Sequence, residues 1–176
     1  MAISLEMLRE ESDEWRRAFL GAIPGQLGCR LRNAFYGFHA KPGCRVLRHV
    51  IIYFPERLKL GNNVGISSYT QLNAAGGVEI GDDTLIGPGC MIWSVNHRFA
   101  SLDSPIRCQG YEQAAVMIER NCWIAGHVVI LPGVRIGEGS IVAAGSVVTG
   151  SCEPRSVLVG APARVVRTRA DSASNP

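Results

Sequence analysis

Twelve aliphatic residues spaced six apart constrain this chain more than any other feature of its sequence. They run Leu60, Ile66 and Leu72, then Ile80, Ile86 and Ile92, then Ile118, Ile124, Ile130, Ile136, Val142 and Val148. If Ile, Leu and Val fell at random at about one position in four, an unbroken series of this length would be very improbable. The period matches neither an α-helix nor a hairpin sheet, whose side chains repeat at about 3.6 and 2 residues. It matches a solenoid in which three six-residue units, each a short strand and a turn, complete one flat coil and bury one layer of aliphatics.

A narrow coil also needs small side chains at its corners, four residues after each aliphatic. Those positions hold Val64, Thr70, Gly76, Thr84, Cys90, Asn96, Cys122, Val128, Val134, Ser140, Ser146 and Cys152. All are small or β-branched except Asn96, which this reading places inside and in need of a polar partner. Gly61, Gly81, Gly87 and Gly137 fall at turns, where a residue without a Cβ is tolerated best. Cys90, Cys122 and Cys152 become small interior residues without chemistry. The six cysteines, which also include Cys29, Cys44 and Cys108, contain no CxxC pair and follow no signal peptide. Neither a disulfide framework nor a zinc site is indicated, and free thiols in a reducing cytoplasm are expected.

Two interruptions break the period. Two extra residues fall around Gly76 and Gly77, and twenty, residues 98–117, follow His97. The long insertion carries Phe99, Ile106, Tyr111 and Val116, too apolar for a tether, and is expected to be a functional loop. Residues 44–59 read as an irregular first coil. Before them, Leu5, Leu8, Ser12, Trp15 and Phe19 keep helical spacing, as do Leu27, Leu31, Phe35 and Phe38, with Pro24 and Gly25 as the break. The expected organisation is a helical cap over 1–43, a solenoid over 44–167 with its loop at 98–117, and a tail over 168–176. A chain of 176 residues is one domain, and its net charge of +3 is too small to argue for nucleic acid. No apolar stretch approaches the roughly 20 residues of a membrane span.

The stretches "VEIGDDTLIGPGCMI", "NH", "IERNCWIAGHVVILPGVRIGEGSIVAAGSVVT" and "VGAPARVVR" resemble the hexapeptide-repeat acyltransferases, in particular galactoside and maltose O-acetyltransferases. The resemblance implies an all-β fold, a single-stranded left-handed parallel β-helix with an α-helical N-terminal cap and one long inserted loop. It also implies a homotrimer with active sites between subunits and acetyl-CoA as co-substrate, without a metal. Residue by residue, it places Trp123 beside the CoA arm, Gly126 and Ala144 along the pantetheine, and Thr149 near the adenine. Arg164 and Arg167 match basic residues beside the CoA phosphates, where fixed cations suit the charge. The shorter stretch "IPGQLGCRLRNAFYGF" is similar to acetyltransferases of bacterial polysaccharide precursors. It reads as an ordinary packed helix or as a peripheral contact at the inner membrane face, with Arg30, Arg32 and Lys41 accompanying Phe35 and Phe38.

His97 opens the loop at a position that points out of the coil. Acyl transfer to a hydroxyl needs a base that works near neutral pH, which imidazole supplies, and the family match makes His97 the general base. Asn96 is expected to orient His97 or the loop. Asp103, Arg107 and Tyr111 are candidates to bind the acceptor, and Asp103 to steady the imidazole. His127 reads as a surface residue in a turn, and His39 and His49 receive no role. The expected function is acetyl transfer to a hydroxyl of a sugar or glycan precursor. The alternatives are N-acetylation of an amino sugar, O-acetylation of serine, and a non-catalytic scaffold. A zinc carbonic anhydrase would need three convergent histidines, and the repeats hold only His97 and His127.

Overall fold

The computed structural model describes residues 5–169, and in it the six-residue period is a triangular parallel coil. One face stacks His39–Ala40, Leu58–Leu60, Val78–Ile80, Val116–Ile118 and Arg135–Ile136. The second stacks Arg45–Val46, Gly65–Ile66, Leu85–Ile86, Trp123–Ile124, Ile141–Val142 and Ser156–Gly160. The third stacks Ile51–Tyr53, Gln71–Asn73, Met91–Trp93, Val129–Ile130 and Val147–Val148. Each residue pairs with the equivalent residue of the next turn, so Ile66 meets Ile86 and Ile86 meets Ile124. All twelve aliphatics of the repeat are inside, none more than 2% exposed. Full burial of an Ile is worth roughly 2 kcal/mol over exposure, and a stack of such layers carries the fold.

The corner series holds at ten of its twelve positions and fails at Gly76, which is half-buried, and Asn96, which is exposed. Both stand immediately before an insertion. The inward places there belong to Val78 and Val116, each two residues ahead of the next aliphatic. Counting forward from the preceding aliphatic misses the shift that an insertion introduces. Ser94 is the polar residue actually buried at the loop root, donating to the Asn73 carbonyl at 2.7 Å and accepting the Gly76 N–H at 2.8 Å.

Several interior polar groups are satisfied by carbonyls of the adjoining turn, while Asn33 Oδ1 and Trp93 Nε1 are buried without a partner among the described residues. The Thr70 and Thr84 hydroxyls donate to Gly87 and Glu119, each at 2.9 Å, and the Cys90 thiol to Ala125 at 3.0 Å. Burial pushes the Cys44 and Cys90 thiols up and Cys122 to about 11, so these three remain unreactive thiols. Spacing at the corners is tight. A Cβ on Gly87 would lie 2.6 Å from the carbonyl carbon of Ala125 and the nitrogen of Gly126, so only glycine fits there.

Two helices, α1 (Leu5–Ala22) and α2 (Gly25–Phe35), cover the first turn. Leu20, Gly21, Gly28 and Cys29 are buried in this packing, while Leu8, Trp15, Phe19, Leu27 and Phe35 stay exposed. Of the two readings of this segment, Arg32 fits the packed helix and not the surface contact, because it is completely buried. It donates to the carbonyls of Leu20 at 2.7 Å, Ile23 at 2.8 Å and Val46 at 2.8 Å, bolting the negative end of α1 to the coil. Phe38 is also buried, just past the end of α2, and parallel pairing begins at His39, ahead of the expected boundary at 44. At the other end Ala163–Thr168 folds back antiparallel on Ser156–Gly160, so Thr168 belongs to a strand. The rest of the expected tail, 170–176, lies outside the described residues.

Candidate active site

The chain leaves the coil after Met91–Trp93. Val95–His97 pairs antiparallel with Tyr111–Gln113, so the insertion is a hairpin arm rather than a slack loop. The pairing sets His97 opposite Tyr111, and their rings lie 4.7 Å apart, tilted by 41°. The arm is tied to the coil where the Ala114 N–H donates to Ser94 at 2.9 Å and the Val116 N–H to Gly77 at 3.1 Å. Farther out, the Gln109 side chain bonds the backbone of Ser101 and Ser104 and holds the arm's own bend.

His97 is exposed at the root of this arm. Asn96 is on the surface beside it, and its side-chain oxygen accepts the His97 N–H at 3.0 Å, which fixes the backbone that carries the imidazole. Tyr111 supplies the group packed on the ring. Asp103 and Arg107 are exposed farther along the arm, and among the described residues neither bonds to the imidazole.

The residues matched to the donor site gather elsewhere. Gly126 and Ala144 stack in one column at the corner between the second and third faces, below Pro88, as the His127 N–H to Pro88 and Gly145 N–H to Gly126 bonds record at 2.8 and 3.0 Å. Within the protomer the backbone N–H groups of Gly126 and Ala144 donate to no described group. A column of small residues with spare N–H donors fits the carbonyls of a pantetheine arm. Trp123, 52% exposed, lines a shallow groove with Leu85 and Pro88 next to this column. Thr149 is exposed just after Val147–Val148, and Arg164 and Arg167 are exposed on the terminal strand.

One coil therefore carries two separated sets. His97 leaves from the corner between the third and first faces, whereas Trp123, Gly126 and Ala144 occupy the second face and its far corner. The interior between them is filled with aliphatics.

Residues 115–150 match the bacterial transferase hexapeptide (six repeats) family. The fold aligns with the hexapeptide-repeat acetyltransferase of Vibrio cholerae in its acetyl-CoA complex, with a TM-score of 0.80 and 28% identity over 94% of this chain and 90% of that one. The protein is a hexapeptide-repeat left-handed β-helix. A galactoside acetyltransferase in complex with coenzyme A aligns over the whole of this β-helix chain and 88% of its own, with a TM-score of 0.84 and 26% identity. Among curated relatives, a candidate acetyltransferase of Staphylococcus aureus is 44% identical over 62% of the chain, and one of Mycobacterium tuberculosis 35% identical over 64%. The matches span 54% and 37% of those relatives' lengths. Among the described residues, no helix of the β-helix protein is long and apolar enough to cross a membrane.

Proposed function

We propose that this β-helix is an acetyl-CoA-dependent O-acetyltransferase acting on a hydroxyl of a sugar or glycan precursor, with its active sites between the subunits of a homotrimer. The observation that carries the reading is the separation of the two residue sets. An exposed imidazole on one corner and a donor-sized column on another are each half a site, and a threefold arrangement brings one protomer's His97 to its neighbour's column.

In that crevice acetyl-CoA lies along Ala144 and Gly126, with Trp123 beside its arm, Thr149 toward the adenine and Arg164 and Arg167 at the phosphates. The acceptor hydroxyl gives its proton to the His97 imidazole as its oxygen attacks the thioester carbonyl. A backbone N–H steadies the oxyanion of the tetrahedral intermediate. Collapse breaks the C–S bond, and the imidazolium returns its proton to the departing thiolate. Asn96 holds the His97 backbone and Tyr111 flanks the ring, so both position the base. Asp103 and Arg107 reach acceptor hydroxyls from the arm. The site works at the inner face of the membrane or in the cytoplasm, where acetyl-CoA is made.

The test is thiol release from acetyl-CoA against a panel of neutral sugars, amino sugars and serine. The reading expects release with a hydroxyl acceptor and an ester product. Release confined to amino sugars would move the chemistry to nitrogen, and no release with any acceptor would remove the enzyme reading.

A further inference from the structure

The height of the reacting centre along the coil follows from the fold. His97 continues the third turn, the turn whose corner is Pro88–Gly89. A threefold axis parallel to the coil preserves height, so a partner's imidazole meets this chain at that corner. The donor column, Gly126 then Ala144, extends from there only toward the C-terminal end. An acceptor must therefore arrive from the N-terminal side of the same corner.

On that side the surface carries an aromatic shelf leading to a cleft. The rings of His49 and Tyr69 stack at 5.3 Å and 14°, and Tyr69 is 63% exposed. Both residues have positive φ, 59° and 65°, which turns their side chains off the corner. Beside His49 a cleft of about 490 Å³ opens between α1 and the Ile51–Tyr53 strand, within the roughly 300–1,000 Å³ of small-molecule sites. Its polar lining is Glu14, Arg17, His49 and Tyr53, and among the described residues Glu14 and Arg17 form no ion pair. The Tyr36 hydroxyl is already committed to the Val50 carbonyl at 2.8 Å. A flat aromatic shelf with a carboxylate and a guanidinium beyond it suits the C–H faces and hydroxyls of a carbohydrate.

We infer that this cleft and shelf hold the non-reacting portion of an extended glycan acceptor, at least two sugar rings long. The inference rests on the proposed function and deepens it. From His49 to the Pro88–Gly89 level is two strand spacings, about 10 Å, which one pyranose ring does not span. A ring in the cleft leaves its hydroxyls short of the imidazole. A second ring over Tyr69 closes the gap.

The test is direct binding of labelled full-length protein to arrayed glycans of one to six residues, read beside turnover. Binding that begins at two residues and weakens at least tenfold in both Tyr69→Ala and Glu14→Gln, with Tyr69→Phe restoring it, is the expected result. His97→Ala should lower turnover by about 10² to 10⁴ and leave glycan binding intact, which separates failure of the cleft assignment from failure of the catalytic one. Absence of binding to any glycan, equal binding of mono- and oligosaccharides, or binding indifferent to Tyr69 and Glu14 would overturn the inference, whatever the turnover.

Discussion

The coil and the arm obey different rules. In the coil every inward residue is judged by the residue above and the residue below. Ile124 sits between Ile86 and Val142, Gly87 against Ala125 and Gly126, and Thr84 donates into the next turn. In the arm most side chains are exposed, and order comes from one short ladder and the Gln109 bonds. Stability is concentrated where the repeat is strict, whereas the proposed base, His97, stands where it breaks.

Four substitutions probe that division. His97→Ala should lower kcat by about 10² to 10⁴ with an unchanged thermal transition, measured by thiol release and calorimetry. If activity survived, the arm root would lose its catalytic assignment. Ile124→Ala, in the middle of the coil, should cost about 2–5 kcal/mol in denaturant unfolding, because its neighbours cannot close over the cavity. Gly87→Ala should cost about 1–3 kcal/mol, since the new methyl meets backbone rather than a movable side chain. Asp103→Asn, out on the arm, should change stability by less than about 0.5 kcal/mol while raising the acceptor KM. A large loss of stability at Asp103, or a negligible one at Ile124, would erase the contrast.

The same division decides what was legible in the sequence. The twelve aliphatics and ten of the corner residues could be read because each solves an identical packing problem, so the period repeats one answer. Gly76 and Asn96 were misplaced because an insertion resets the count, and only the partner strand reveals where. Arg32 agrees with the packed reading of the cap and removes it from the alternative surface contact, but its way of packing was not legible. A cation normally marks a surface, and nothing local announces that three backbone carbonyls converge on it. The apolar stripe Leu8, Trp15 and Phe19 marked a helix correctly, yet the face that packs runs through Leu20, Gly21, Gly28 and Arg32. His97 was conspicuous by its place before the longest insertion. The tilted contact of Tyr111 with its ring, and the stacking of Tyr69 on His49, depend on register between segments that no local pattern encodes.

The measurement that bears most directly on a site shared between protomers is complementation in mixed oligomers. His97→Ala removes the base from one corner, and Ala144→Arg blocks the donor column on another. Each variant alone should be inactive. Co-expressed with distinguishable tags and purified as mixed assemblies, they should regain thiol release, because some crevices then pair an intact imidazole with an intact column. Mixed assemblies as inactive as either parent would contradict the account and return the whole site to a single chain.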